Sequence, residues 1–412
     1  VNILVLCPHF APDVAPTGEV MTSITVELAR RGHRLHVVTS LPWYRHHAVD
    51  AGWDGQLVRH EDVAWGRITR LHPFPTDKGN LPARALAFGG FTLLAALEGA
   101  ITHARPDVVL AMSPPLSLGP AGWMVARARR VPFVFNIQDV FPDVAVELGL
   151  LVNPRAIAAA SWLERTTYAK ADAVTVLSDE LAANVRGKLS AASTTDIEVI
   201  PNFVDTVHVQ PSDPENGYRR EYGLTGKTVV MYAGNVGLSQ SLDLVLAAAR
   251  RSLDRTDVAF VINGGGTARP DLERAAADLP NLHFVNMQPK ARIPEVLAAG
   301  DLHVVPLKRG LAKASVPSKL YSILAAGRPL VASVDPGTEV ARTVAAAGAG
   351  IAVDPEDPDA FTAAIHELLD DPARAAAMGA SGRRFVETWA SPAAVAEAYE
   401  ALFVSLVHRA GY

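Results

Sequence analysis

The feature that most constrains this chain is an alternation repeated from one end to the other. A short apolar run rich in β-forming residues is followed by a glycine or proline, then by an alanine-rich amphipathic stretch. Val1–Cys7 reads as a buried strand, Met21–Arg31 as a helix closed by Gly32, and His33–Thr39 as the next strand. Asp107–Met112, Phe133–Ile137, Ala173–Leu177 and Glu198–Ile200 continue the series. Strands and helices in such succession form parallel sheets with helices on both faces, the α/β class.

Between Pro201 and Gly223 the alternation stops. Pro201, Pro211, Pro214 and Gly217 within a polar, acid-containing run suit an interdomain linker. It restarts with strand Thr228–Ala233, helix Leu242–Ser252 and strand Val258–Asn263, then His283–Val285, His303–Pro306, Leu330–Ser333 and Gly350–Val353. A last helical stretch, Pro392–His408, follows the break at Trp389-Ala390-Ser391-Pro392. The expectation is two Rossmann-like, doubly wound domains facing across a cleft, residues 1–205 and 206–390, with a final helix (391–412) packed back on the first. The chain's 412 residues suit two domains at roughly 100–200 residues each. In such sheets ligands bind beyond the carboxyl ends of the strands.

Composition removes several classes. The formal charge of −5 lacks the basic excess of a nucleic-acid binder. Cys7 stands alone, so there is no intramolecular disulfide and no cysteine-based zinc site, and a reducing, cytoplasmic setting is expected. The first residues lack the basic lead-in of a targeting segment. The apolar stretch Ala85–Leu97, bounded by Arg84 and Glu98, has 13 residues where a bilayer span needs about 20. A soluble protein is expected.

Three segments carry candidate chemistry. The first strand runs into Pro8-His9-Phe10-Ala11-Pro12 and then Pro16-Thr17-Gly18-Glu19, a glycine at a helix start, where free N–H groups suit an anion or a sugar hydroxyl; a plain turn is the alternative. The second half opens with Ala233-Gly234-Asn235-Val236-Gly237 and has a further turn at Gly264-Gly265-Gly266. Its spacing lacks the third glycine and the acidic residue of a dinucleotide site, which argues against NAD. The sharpest segment is Ser315-Val316-Pro317-Ser318-Lys319-Leu320, leading through Ile323-Leu324 to Gly327. Ser315 or Ser318 caps a helix whose first turn offers the N–H groups of Ser318, Lys319 and Leu320 together with a lysine ammonium. Dipole, donors and a mobile charge at one spot form a diphosphate cradle; an ordinary capped helix is the alternative.

The order of these segments resembles the GT-B glycosyltransferases of family 4. Carrying the resemblance are the Gly18 loop, the Gly234 loop, the Gly264 turn, Asp301 and Pro317-Ser318-Lys319-Leu320 with Ala326-Gly327-Arg328-Pro329. Ser113-Pro114-Pro115-Leu116 and Asn136-Ile137-Gln138-Asp139-Val140-Phe141-Pro142-Asp143 are similar to motifs of the subgroup that assembles capsule, colanic acid and O-antigen. The resemblance implies retaining transfer from a nucleotide-activated sugar, uridine preferred, to a sugar, lipid-linked or small-molecule acceptor. The donor would lie on the second domain against Gly234, Asn235, Gly264, Ser315, Val316, Ser318, Lys319 and Leu320. Met287-Gln288 would lie against the base, and Gly18 would approach the sugar–phosphate. His9, Glu19 and Gln138 are the acceptor-side candidates. Asp139 is the first-domain candidate for orienting the reacting hydroxyl, with a capping or turn carboxylate as the alternative. Glu19 also reads as a helix-dipole partner.

Two departures stand out. The family's two glutamates, eight positions apart, correspond here to Ala314 and Ser322, and no basic pair follows the Gly234 loop. Lys308, Arg309, Lys313 or Lys319 are the replacement charges, and Glu339 the replacement carboxylate. No cofactor or metal is expected: Asp357-Pro358-Asp359 is better read as a helix cap, and His46-His47 as a loop pair. Arg59, Arg67, Arg70, Lys78 and Arg84 precede the apolar stretch and offer peripheral contact with the inner face of a membrane, or simply a solvated loop before a core helix. Two rival functions keep the same architecture, a sugar-nucleotide epimerase and a non-catalytic nucleotide-sugar-binding subunit.

Overall fold

The structure, a computed structural model, describes residues 1–75, 81–102, 105–147, 151–237, 239–310 and 318–411. It divides into two compact units, Val1–Asn202 with Val395–Tyr412, and Phe203–Ala394. The first runs β1 (Asn2–Leu6), α1 (Pro16–Arg30), β2 (Arg34–Ser40), β3 (Val58–Val63), β4 (Gly66–Leu71), α2 (Leu81–Ile101), β5 (Val108–Ser113), α3 (Leu118–Arg129), β6 (Phe133–Ile137), α4 (Asp143–Glu147), α5 (Pro154–Lys170), β7 (Ala173–Val176), α6 (Asp179–Lys188) and β8 (Asp196–Val199). The second runs α7 (Gly217–Glu221), β9 (Thr228–Ala233), α8 (Asp243–Arg250), β10 (Val258–Asn263), α9 (Arg269–Ala275), β11 (Leu282–Val285), α10 (Ile293–Ala299), β12 (Leu302–Pro306), α11 (Ser318–Ala325), β13 (Leu330–Ser333), α12 (Glu339–Ala347), β14 (Gly350–Val353), α13 (Pro358–Asp370) and α14 (Pro372–Trp389). A last helix, α15 (Pro392–Arg409), follows.

Among the described residues the first sheet has the order β3-β4-β2-β1-β5-β6-β7-β8 and the second β11-β10-β9-β12-β13-β14. All pairings are parallel except β3 with β4. The central strands are apolar at nearly every position because helices cover both faces: Ile3, Leu4, Val5 and Leu6 are all buried, as are Val229, Val230 and Met231. Strand order reverses at β1 in the first sheet and at β9 in the second.

Three elements depart from the sequence reading. Helix α1 begins at Pro16 rather than Met21, because proline is preorganised for the first helical position and has no N–H to leave unpaired. The hairpin β3–β4 has no counterpart in the reading, since Val-Arg-His-Glu-Asp-Val contains no apolar run; it is an edge strand with alternate half-burial. The stretch Pro201–Gly223 is not a free linker. Residues from Phe203 on belong to the second unit, and α7 sets Arg219 in its core, 2% exposed. The Arg219 guanidinium donates to Ala299 O (2.9 and 2.8 Å), Asp301 Oδ2 (2.6 Å), Glu215 Oε1 (2.7 Å) and Lys227 O (3.1 Å).

Candidate functional site

At the strand-order reversal of the second unit, the loops after β9 and β10 lie against each other. Backbone bonds join them: Gly234 N to Asn263 O (2.9 Å), Val236 N to Gly265 O (2.9 Å) and Ala268 N to Val236 O (3.1 Å). A Cβ on Gly264 would lie 1.8 Å from Gly234 O, so only glycine permits this approach. Gly234 has φ +148°, and a side chain there would begin 2.2 Å from Lys319 Cε. The stem of Lys319, from the first turn of α11, therefore lies directly on the glycine. Its ammonium donates to Tyr232 Oη (2.8 Å) and lies 4.8 Å from the centre of that ring. Tyr232 Oη donates in turn to Asn235 O (2.5 Å). Among the described residues Lys319 has no carboxylate partner, and burial lowers its pKa. Among the described residues this half-buried cation therefore meets one neutral oxygen and a π face, with no carboxylate to compete for it.

The other second-unit candidates separate into kinds. Leu320 is fully buried, leaving only its backbone N–H for a ligand. Asn235 is exposed beside the loop, and Met287 is 55% exposed after β11. Gln288 is engaged: it donates to Tyr222 Oη (3.1 Å) and Asn286 O (3.0 Å) and accepts from Arg292 Nη1 (2.9 Å). Glu339 opens α12 and accepts from Arg342 Nη2 (2.9 Å) and Thr343 Oγ1 (3.3 Å). It neighbours Tyr321 of α11, whose phenol is pushed up to about 12 by burial first and by this carboxylate second. Arg309 donates to Pro355 O (2.9 Å). Lys313, Ala314, Ser315 and Val316, and the side chain of Ser318, lie outside the described residues. Asp357 caps α13 by accepting from Asp359 N and Ala360 N, as its spacing implies.

In the first unit the reversal falls at β1, and the loop after it carries a buried pair. His9 Nδ1 and Asp13 Oδ2 are 2.7 Å apart, and Asp13 Oδ1 accepts from Tyr44 N (3.1 Å). The His9 ring stacks on Trp43 at 5.6 Å and meets Tyr44 edge-on at 5.3 Å. Gly18, in the first turn of α1, packs on His9: an added Cβ would fall 2.8 Å from His9 Cβ. Glu19 shares that turn, and no side chain caps it. Asp13 is absent from the sequence reading; its only signal is the i+4 offset from His9, which carries meaning in a helix but not in a loop.

Gln138 and Asp139 follow β6. Gln138 is buried and donates to Asn136 Oδ1 (2.8 Å) while accepting from Asn202 Nδ2 (3.0 Å), so both ends of its amide are used inside the protein. Asn136 donates to Thr175 Oγ1 (3.1 Å) and to Tyr399 Oη of α15 (2.8 Å). Asp139 faces solvent, yet partial desolvation raises its pKa. Of the arginines expected to form a basic surface, one is buried and the other two are engaged by neighbours on the hairpin side. Arg70 is 2% exposed and donates to Glu61 Oε1 (2.9 Å) and Ala11 O (2.6 Å), Arg67 donates to Asp62 (2.9 Å), and Arg59 lies over Trp53 (4.2 Å). Lys78 and the side chain of Arg84 lie outside the described residues. No group of three or more His, Cys, Asp or Glu among the described residues is arranged to hold a metal ion.

Residues 17–202 match the glycosyl transferase 4-like domain, and residues 227–371 match the glycosyl transferases group 1 domain. The chain is 28% identical to WcaI of Escherichia coli K12, ascribed to colanic acid biosynthesis as a glycosyl transferase, over 89% of this chain and 92% of that one. It is also 28% identical to a GDP-mannose-dependent phosphatidylinositol monomannoside mannosyltransferase of Mycolicibacterium smegmatis, over 69% of this chain and 81% of that one. Among solved structures, HepE of Anabaena in complex with UDP superposes with a TM-score of 0.65 at 14% identity, covering 98% of this chain and 100% of that one. Two adjoining domain matches on two parallel-sheet units make the conclusion direct: the chain belongs to the group 1 glycosyltransferases of the GT-B fold class and is a sugar-transferring enzyme.

Proposed function

We propose that the protein transfers a sugar from a nucleoside-diphosphate sugar, a UDP-sugar, to an acceptor hydroxyl with retention of anomeric configuration, in the assembly of cell-surface polysaccharide, glycolipid or glycoconjugate. The observation that carries the donor side is Lys319, laid on Gly234 without a carboxylate partner among the described residues. As the glycosidic bond breaks, negative charge grows on the departing diphosphate. The ammonium and the free N–H groups at the start of α11 stabilise it where it develops, and this reading asks for no metal. The proposed donor residues are Gly234, Asn235, Gly264, Met287, the 315–320 segment and Glu339. Gln288 braces the turn that presents Met287. On the acceptor side we assign His9 and Asp139 to hydroxyl contacts, Glu19 to the helix start that packs on His9, and Gln138 to holding the Asp139 loop, while Gly18 is kept for the donor's sugar–phosphate. The UDP complex of HepE supports uridine, whereas the M. smegmatis relative makes guanosine the second base to test.

A thermal-shift titration with UDP, GDP, ADP and TDP, run on wild type and Lys319→Ala, tests the donor side. UDP should stabilise the wild type by about 2–3 kcal/mol at a hundredfold excess over Kd. The variant should bind roughly tenfold or more weakly, because a charge-assisted contact is lost. No shift with any nucleotide would sink the diphosphate assignment. Donor consumed to an isomerised nucleotide-sugar without acceptor would instead identify an epimerase. NMR of the product's anomeric coupling decides retention, and turnover unchanged by EDTA is expected.

A further inference from the structure

Helix α2 has an outer face that a solvated helix does not have. Between residues 86 and 101 its exposed positions are Leu86, Gly89, Leu93, Leu97, Ala100 and Ile101, a stripe at helical spacing without one polar side chain. Leu86 is 80% exposed, Leu93 61%, Leu97 53% and Ile101 69%. The opposite face is already used: Phe91 and Ala95 are buried in the core, and Gly99 packs on Leu4 and Val125. The one charge in this stretch, Glu98, turns inward to accept from Thr69 Oγ1 (3.2 Å). A surface helix ordinarily places charges opposite its core stripe.

The neighbouring helices extend the pattern. Thr92 meets Ser117 (2.8 Å) and Arg129 donates to Thr102 O, so α2 and α3 run side by side. Gly119 packs on Thr167, and Lys170 Nζ lies 5.5 Å over the Trp123 ring, which sets α5 beside α3. The exposed residues of α3 and α5 include Met124 and Trp162 together with Arg127, Arg155, Arg165 and Lys170. The described residues of these three helices hold two carboxylates facing inward, Glu98 and Glu164; the latter is 1% exposed in a salt bridge to Lys188 (2.7 Å). A layer with cations outside and no outward acid, in a chain of net charge −5, is a local segregation of charge.

We infer that the outer face of α2, α3 and α5 docks on an anionic lipid bilayer, the α2 stripe entering the interface and the α3 and α5 cations meeting headgroup phosphates. Apolar side chains beside cations are the chemistry of an in-plane interfacial helix, and complementarity to negative lipid selects the bilayer as occupant. It would bring a lipid-linked acceptor and this enzyme to one surface, but it does not depend on the donor assignment.

The test is flotation of the full chain with phosphatidylcholine vesicles and with vesicles containing 30% phosphatidylglycerol, alongside light scattering without lipid. Wild type should partition on the order of tenfold more strongly to the anionic vesicles. Leu93→Ser/Leu97→Ser should lose about tenfold of that binding, and Arg127→Gln/Arg165→Gln should lose the anionic preference. UDP-induced thermal shifts on the same samples report the second unit separately, so misfolding of a variant or failure of the donor assignment is read independently. If the leucine variant misfolds, the arginine variant alone decides. Equal, negligible partition to both vesicles would overturn the inference. So would a wild-type dimer that the serine substitutions dissolve, since a second copy would then cover the stripe.

Discussion

Asp13 holds two loops of the first unit together, one oxygen on His9 Nδ1 and the other on the Tyr44 amide. A carboxylate only accepts, so Nδ1 carries the proton and Nε2 of the neutral ring is left as an acceptor for a hydroxyl. Asp13→Asn keeps the bond to Tyr44 through its oxygen but presents N–H to Nδ1, which drives the proton to Nε2 and turns that atom into a donor. The expected outcome is a roughly 10–100-fold fall in acceptor-dependent kcat with UDP binding intact, read by coupled UDP release. Unchanged kcat would remove His9 from the hydroxyl contact. Lys319 and Gly234 are legible as candidates from residue type and position after a strand, because a glycine loop and a helix-start lysine suit an anion by chemistry alone, and the fold sets the two against each other. The partners that distinguish Asp13 from a turn carboxylate, and Gln138 from a ligand, come from segments as distant as Tyr44 and Asn202, and no local pattern encodes them.

Helix α7 shows how much one side chain contributes to an element. It spans only five residues, too few for helical propensity to sustain, and it is held by the Arg219 bonds to α10, to the start of β12 and to the chain entering β9. Arg219→Met fills similar volume but leaves Ala299 O without its side-chain donor and Asp301 with only the Val229 N–H (2.7 Å) and no compensating charge. Chemical denaturation should show a loss of roughly 3 kcal/mol, and a loss below about 1 kcal/mol would contradict the role. The same arginine explains why Pro201–Gly223 reads as a linker: its prolines and acids are locally loop-like, and only long-range bonds make part of it core. Central strands such as β1, β5 and β9 were legible because burial on both faces writes an apolar run. The β3–β4 hairpin was not, since its cations and carboxylates pair across the edge where an apolar face would have shown.

Both units bury a histidine that must stay neutral. His36 lies between Thr69 Oγ1 (2.9 Å) and Thr102 Oγ1 (2.8 Å), and burial lowers its pKa to about 4, helped by Arg67 and His60. His303 donates from Nε2 to Leu297 O (2.9 Å), and burial likewise lowers it to about 4. Above the ordinary value near 6.5 neither state binds the proton. Between there and pH 4 the unfolded chain takes it up while the fold resists, so stability falls as pH falls, by roughly 3 kcal/mol per unit across that window. Melting temperatures from pH 7.5 to 4.5 check this, and a flat profile would refute it. The two-domain α/β plan was readable from alternation alone; what the alternation does not show is that α15 threads Tyr399 into the Asn136 and Thr175 network of the first sheet. That return has a consequence for synthesis. As the chain leaves the ribosome, the strands of the first sheet emerge early, but the helix that closes their network comes only after the entire second unit. The first sheet must wait through that interval with Asn136 and Thr175 lacking their Tyr399 partner, and whatever guards nascent chains meets it there.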